Sequence, residues 1–205
     1  MADRQTIVTL DMEGVLVPEI WIAVAERTGI EALRRTTRDE PDYDVLMRYR
    51  LDLLAEHGLT MSAIAEVIGE LEPLEDACAF LDELRGLTQV VILSDTFEQF
   101  AGPLVRQLGR PTILCHRLVV DGATDRITGY TLRMPDQKRA AVLAFQSLEY
   151  KVVAAGDSYN DTSMLLAADA GFLFHAPPNV VAEFPQLPAL DTYDDLLEQI
   201  VTQLD

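Results

Sequence analysis

The sequence predicts an α/β fold, a doubly wound and mostly parallel sheet with a small all-helical insertion after its first strand. Three observations carry this. Short β-branched and leucine runs around 7–10, 89–93 and 151–155 read as buried strands. Helical patterns alternate with them, which implies parallel strands joined by crossovers. Between the first and second runs lie about fifty residues with no strand pattern at all. In an open sheet of this kind ligands bind outside the carboxyl ends of the strands. The strand ends here carry Asp11 and Glu13, then Ser94 and Asp95, then Asp157.

Taken in order, Ile7 to Leu10 is a strand that runs into Asp11-Met12-Glu13-Gly14, where glycine lets the chain turn. Ile20, Trp21, Val24 and Ala25 repeat at helical spacing, and Gly29 stops that helix. Asp42 and Asp44 can cap the next helix, with Leu46, Tyr49, Leu53 and Leu54 on one face, and Thr60 opens a third through Ile64, Val67 and Ile68. The expected division is therefore a core of 1–16 and 73–205 with a helical cap of 17–72 acting as a lid. Asp76 to Arg85 reads as a helix and Gln89 to Asp95 as the second strand. Phe97 to Leu108 reads as a helix that Gly102-Pro103 bends or restarts. Pro111 to Leu114 reads as a short strand, and Leu118–Val120 with Ile127–Tyr130 as a hairpin near a sheet edge, turning at Asp121-Gly122. Asp136 to Leu148 is a helix with Lys138 in its first turn, Lys151 to Asp157 a strand, Ser158 to Ala168 a helix, Gly171 to Phe174 a strand and Tyr193 to Leu204 a closing helix.

Composition limits the function classes. The chain has 205 residues, 49% hydrophobic and 24% charged, with a formal net charge of −18. Such acidity argues against binding nucleic acid or anionic membranes, which both require basic surface. A small anionic substrate is compatible if a metal ion, a few Lys or Arg side chains and helix N-termini compensate locally. With no apolar run of membrane-spanning length and no signal-peptide pattern at Met1-Ala2-Asp3-Arg4, a soluble, cytoplasmic protein is expected. Cys78 and Cys115 read as buried small hydrophobes in a reducing compartment, and His57, His116 and His175 as core or surface residues without metal-ligand spacing.

Singly, the strand-end residues are ambiguous: Asp11 could cap a turn, Ser94 a helix, and Lys138 could be a solvated helix residue. Their company changes the reading. Asp161 follows Asp157 by four residues, so that three carboxylates with Asp11 converge on one sheet edge. Such a group of like charges calls for a hard divalent cation, and Mg²⁺ takes a few carboxylates, waters and a substrate phosphate. Phosphoryl transfer accommodates every piece: Asp11 as nucleophile forming an aspartyl-phosphate, Ser94 and Lys138 holding phosphoryl oxygens, and Glu13 as general acid and base two residues from the nucleophile.

The order Asp-x-Glu, Ser, Lys, Gly-Asp-x-x-x-Asp resembles the haloacid dehalogenase superfamily of phosphatases, across residues 11 to 161. The stretches 11–19, Ser94-Asp95-Thr96-Phe97 and 156–161 resemble the phosphoserine phosphatase branch, most closely its bacterial bifunctional phosphoserine phosphatase/homoserine phosphotransferase subgroup. Glu13 stands where the superfamily usually has a second Asp, a departure that the subgroup shares. The resemblance implies L-phosphoserine as substrate, homoserine as a further acceptor, Mg²⁺ as cofactor and a homodimer. It implies Glu19, Arg50, Ser94, Asp95, Lys138 and Asn160 as substrate-binding residues, with Glu19 meeting the amino group and Arg50 the carboxylate. It assigns the metal to the Asp11 carboxylate, the Glu13 backbone carbonyl and the Asp157 carboxylate, with Asp161 orienting the metal's water or Lys138. Arg48 rivals Arg50 but lies about 200° around the helix, so only one of them faces the site. The competing readings are a phosphatase for another small phosphorylated metabolite and, outside enzymes, a receiver-like phospho-switch domain. The receiver carries its acidic pair on the first strand and lacks a large insertion after it.

Overall fold

The structure is a computed structural model that describes residues 4–36, 39–40 and 42–204; Met1-Ala2-Asp3, and with them most of the stretch read for a signal peptide, lie outside the described residues. Seven strands form one sheet: β1 (Thr6–Leu10), β2 (Gln89–Phe97), β3 (Thr112–Val120), β4 (Ile127–Thr131), β5 (Lys151–Gly156), β6 (Ala170–Phe174) and β7 (Ala189–Leu190). Their order is β4-β3-β2-β1-β5-β6-β7, and every pairing is parallel except β3 with β4. β1 is thus central, flanked by β2 and β5, and the three acidic or hydroxyl strand ends of the sequence sit side by side.

Alternation along the buried strands sends successive side chains to opposite faces. Val8, Leu10, Ile92, Val153 and Ala155 face one hydrophobic cluster, shared with α4 (Ala77–Leu87), α5 (Glu98–Gln107) and α9 (Tyr193–Val201). Ile7, Val91, Leu93, Val152 and Ala154 face the other, shared with α6 (Gln137–Ser147), α7 (Thr162–Ala167) and α8 (Pro178–Glu183). The segment after β1 holds α1 (Ile20–Thr28), a 3-10 turn (Glu31–Arg34), α2 (Tyr43–Glu56) and α3 (Met61–Gly69), with no strand among its described residues. Its apolar faces join the first cluster, so the insertion packs continuously onto the core instead of forming a separate one. Gly29 ends α1 in the left-handed conformation (φ 70°), and Asp42 and Thr60 cap α2 and α3 by accepting from Val45 N and Ala63 N.

Several expectations change. α5 runs unbroken through Gly102-Pro103. The two strands expected at 111–114 and 118–120 are one, β3; its first half pairs with β2 and its second half with β4. β2 extends past Asp95 to Phe97, with a register shift against β3 between Leu93 and Phe97. The helix expected from Ser158 begins as a 3-10 turn (Tyr159–Asp161) before α7. The buried face of α2 is Leu46, Met47, Arg50 and Leu54, so Tyr49 and Leu53 are only half-buried. Cys78 is exposed and Cys115 half-buried, against the expectation of two buried thiols. Among the described residues no helix is long and apolar enough to cross a membrane.

Candidate active site

Asp11 continues β1 by one residue, its N–H donating to Ala155 O of β5 at 3.0 Å. The chain then coils tightly: Leu16 N and Val17 N both donate to Met12 O, and Gly14 N donates to Val17 O. Gly14 has φ 75°, and a Cβ there would lie 2.5 Å from Asp157 Oδ2. Only glycine lets this loop lie against the Asp157 carboxylate. Tyr193 of α9 props the coil from behind, donating to Val15 O at 2.6 Å.

At the floor, Lys138 Nζ lies 2.8 Å from Asp11 Oδ1, 2.7 Å from Asp161 Oδ1 and 3.6 Å from Asp95 Oδ2, and it is 2% exposed. Burial works against its charge, but three carboxylates overcome this and hold the ammonium well above the usual lysine range. Asp161 is fully buried; its other oxygen accepts from Asp157 N at 3.0 Å and Ser158 N at 3.2 Å, tying the loop after β5 to the lysine. Ser94 is buried within β2, where the register shift frees it from the ladder with β3, and its Oγ accepts from Thr96 N.

Asp95 is held from several sides. It accepts from Gln137 Nε2 at 3.1 Å and Asn160 Nδ2 at 3.0 Å, and His116 Nε2 lies 3.5 Å away. His116 Nδ1 accepts from Arg133 N, which assigns its proton to Nε2, facing Asp95. Burial raises the Asp95 carboxyl, but Lys138, His116, Asn160 and Gln137 outweigh it and hold the group far below the usual carboxylate range. Gln137 also donates to Ser94 O at 2.7 Å, and Tyr43 of α2 donates to Asp95 O at 3.1 Å.

The insertion supplies the opposite wall. Glu13 reaches α1, its Oε2 accepting from Ile20 N at 2.9 Å. Burial and the nearby Glu19 push Glu13 up to about 7. Arg50 is buried and faces the cavity, whereas Arg48 is exposed and donates to Asp44 O, as the helical angle between them requires. A cavity of about 750 Å³ joins the two walls and is lined by Asp11, Glu13, Glu19, Arg50, Ser94, Asp95, Lys138, Asp157 and Asn160. Every site residue expected from the sequence except Asp161 lines it, and Asp161 lies directly beneath. Trp21, Tyr43, His116 and Gln137 also line it and were not expected. Trp21 reads in sequence as part of a helical face and His116 as a core or surface residue, whereas Tyr43 and Gln137 carry no sequence signal beyond their places beside Asp42 and Lys138.

The residues present fit a hard cation. Asp11, Asp157 and Asp161 offer carboxylate oxygens all within 4.8 Å of one another. Asp11 Oδ1 is buried, and the contact it makes among the described residues is the Lys138 ammonium at 2.8 Å. Burial, Asp161 and Glu19 push Asp157 up to about 7, and burial with Asp161 pushes Asp11 well above its usual range. Lys138 is the cation in contact with this cluster among the described residues, so these carboxylates could hold a divalent cation as well.

Comparison with known proteins agrees with this geometry. The haloacid dehalogenase-like hydrolase family matches residues 6–169. The chain is 63% identical over 195 residues to the phosphoserine phosphatase ThrH of Pseudomonas aeruginosa, covering 95% of each chain, and 63% identical to a phosphoserine phosphatase of Pseudomonas syringae pv. tomato, covering 95% of this chain and 82% of that one. Among solved structures it resembles a substrate-bound phosphoserine phosphatase complex (TM-score 0.78, 20% identity, 99% and 100% of the two chains) and the phosphoserine phosphatase of T. onnurineus (TM-score 0.73, 21% identity, 96% and 94%), which establishes a shared fold. These matches set the receiver-domain reading aside. The chain belongs to the haloacid dehalogenase-like hydrolase family, as an enzyme of its phosphatase branch.

Proposed function

We propose that the chain is a Mg²⁺-dependent L-phosphoserine phosphatase that works through an aspartyl-phosphate on Asp11, and that it can pass the phosphoryl group to homoserine. The observation that carries this is Lys138 held between Asp11 and Asp161 at the floor of a cavity whose opposite wall presents Glu19 and Arg50. A nucleophile, a phosphate-binding cation and a zwitterion-reading pair thus face one space. The names of the 63%-identical relatives support the same substrate.

The Asp11 carboxylate, the Glu13 carbonyl and the Asp157 carboxylate would hold the ion, with Asp161 behind them. Bound there, Mg²⁺ would offset the negative charge that builds on the phosphoryl oxygens and on the attacking carboxylate. An Asp11 oxygen attacks phosphorus as the ester P–O bond breaks, and Glu13 gives its proton to the departing serine oxygen. Glu13 then takes a proton from water, or from the homoserine hydroxyl, as that oxygen attacks the aspartyl-phosphate. Near pH 7, a group pushed up to about 7 is available in both forms. Ser94 and Lys138 hold phosphoryl oxygens, Asn160 orders the loop, and Glu19 and Arg50 meet the ammonium and carboxylate of the amino acid.

The test is phosphate release from L-phosphoserine with Mg²⁺, compared between the wild type and Asp11→Asn. Turnover that survives Asp11→Asn would sink the mechanism. Adding homoserine should yield phosphohomoserine at the expense of free phosphate; its absence would confine the enzyme to hydrolysis.

A further inference from the structure

Arg50 is mounted in an unusual way for a cation on an inserted helix. It is 6% exposed, and its guanidinium lies over the Trp21 ring with Cζ 4.5 Å from the centroid. Among the described residues, one terminal nitrogen donates to Arg35 O at 2.8 Å, the other meets the Met47 sulfur at 3.8 Å, and the buried Nε has no hydrogen-bond partner. Burial lowers the guanidinium to about 10, and no carboxylate forms an ion pair with it at contact distance among the described residues. A buried fork with one conventional acceptor leaves donors for a planar anion. What fixes the plane of that fork is the indole beneath it.

Trp21 is itself anchored to the core. Its ring meets Phe100 of α5 edge-on at 5.4 Å, and Phe100 meets Phe97 at 5.8 Å, at the end of the strand that carries Ser94. A continuous run of rings therefore connects the platform under Arg50 to the phosphate end of the site. Aromatic pairs and a stacked guanidinium hold orientation better than a solvated side chain does.

We propose that Trp21 is a positioning and specificity residue: it presents Arg50 at a fixed distance from the phosphoryl site, so that the enzyme selects phosphate esters bearing a carboxylate. The inference rests on the proposed reading of Arg50 as the carboxylate contact. It has a direct readout, because Trp21 is the chain's single tryptophan.

The experiment compares kcat/KM for L-phosphoserine and for O-phosphoethanolamine, which lacks only the carboxylate, in wild type, Arg50→Ala and Trp21→Leu. Arg50→Ala should collapse the preference. Trp21→Leu should lower it by about tenfold, mainly through KM, and Trp21→Phe should restore most of it by returning a ring. If Arg50→Ala leaves the preference intact, the carboxylate reading fails. If Arg50→Ala removes it but Trp21→Leu slows both substrates equally, Trp21 is only packing and the present proposal fails alone. A second arm needs no change at Trp21: in Asp11→Asn with Mg²⁺, L-phosphoserine should shift tryptophan emission and O-phosphoethanolamine should not. Equal responses to the two ligands would overturn the proposal even if Trp21→Leu cannot be folded.

Discussion

At the scale of single residues, Glu13 shows why this loop carries a glutamate. Its carboxylate bonds the N–H of the first residue of α1, and the extra methylene relative to aspartate spans that gap. The group that would move the proton is thus also the tie between the catalytic loop and the insertion. Two substitutions separate these roles. Glu13→Gln keeps an oxygen acceptor for Ile20 N but cannot carry the proton, so kcat should fall by roughly 10²–10⁴-fold with the thermal midpoint nearly unchanged. Glu13→Asp keeps the acid but loses the reach, so it should both slow turnover and shift the ratio of phosphohomoserine to phosphate. An unchanged ratio would show that the tie does not govern which acceptor enters. Sequence made the candidate residues legible only as a set, because phosphoryl transfer calls for particular types together: Asp11, Ser94 and Asp157 at strand ends, with Lys138 in the first turn of α6. Residues that act by packing left no such mark. Trp21 repeats at helical spacing with Ile20, Val24 and Ala25, and spacing alone cannot distinguish a ring under a guanidinium from a ring in the core.

Among the elements, those fixed by local chemistry were readable and those fixed by tertiary pairing were not. Caps at Asp42, Thr60 and Gly29 follow from side chains near the helix ends. β3 could not be read as one strand, because its middle lies where it exchanges a parallel neighbour for an antiparallel one. Likewise, Pro103 stays inside α5 because the buried Phe100, Ala101 and Leu104 hold the helix on the sheet despite one missing amide. The junction of β5 and α7 gives the sharpest prediction at this scale. A Cβ on Gly156 would lie 2.4 Å from Asp161 Cγ, inside any tolerable contact. Gly156→Ala must therefore drive the Asp161 side chain out from beneath Lys138 or displace the strand. We expect a loss of stability of about 2 kcal/mol and a drop in kcat of at least tenfold, since the lysine would lose one of its two closest partners. Retention of wild-type kcat by a folded Gly156→Ala protein would mean that Asp161 is not needed to hold Lys138.

For the molecule as a whole, a formal charge of −18 makes the placement of each ionised carboxylate a stability question. Asp169, far from the catalytic cavity, staples three parts of the chain. It accepts from Val152 N at 2.9 Å and Gln146 Nε2 at 3.1 Å, and pairs with Arg4 at 2.5 Å. Burial raises its carboxyl more than any one neighbour lowers it, but the Val152 N–H, Arg4 and Gln146 together outweigh burial and leave it below the usual value. A carboxyl lowered on folding contributes stability that is fully present above its unfolded value of about 4 and is lost as pH falls through the folded one. Asp169→Asn should thus destabilise the protein at pH 7 by about 1 kcal/mol, a figure set by hydrogen bonding because water screens the Arg4 side chain, which is 40% exposed. The gap between variant and wild type, read from urea midpoints, should be constant from pH 8 to 5 and close as pH drops below about 4. A gap that persists unchanged at pH 3 would show that Asp169 acts through shape and neutral hydrogen bonds, and that its charge is not what binds the start of β5 to α6 and to Arg4 ahead of β1.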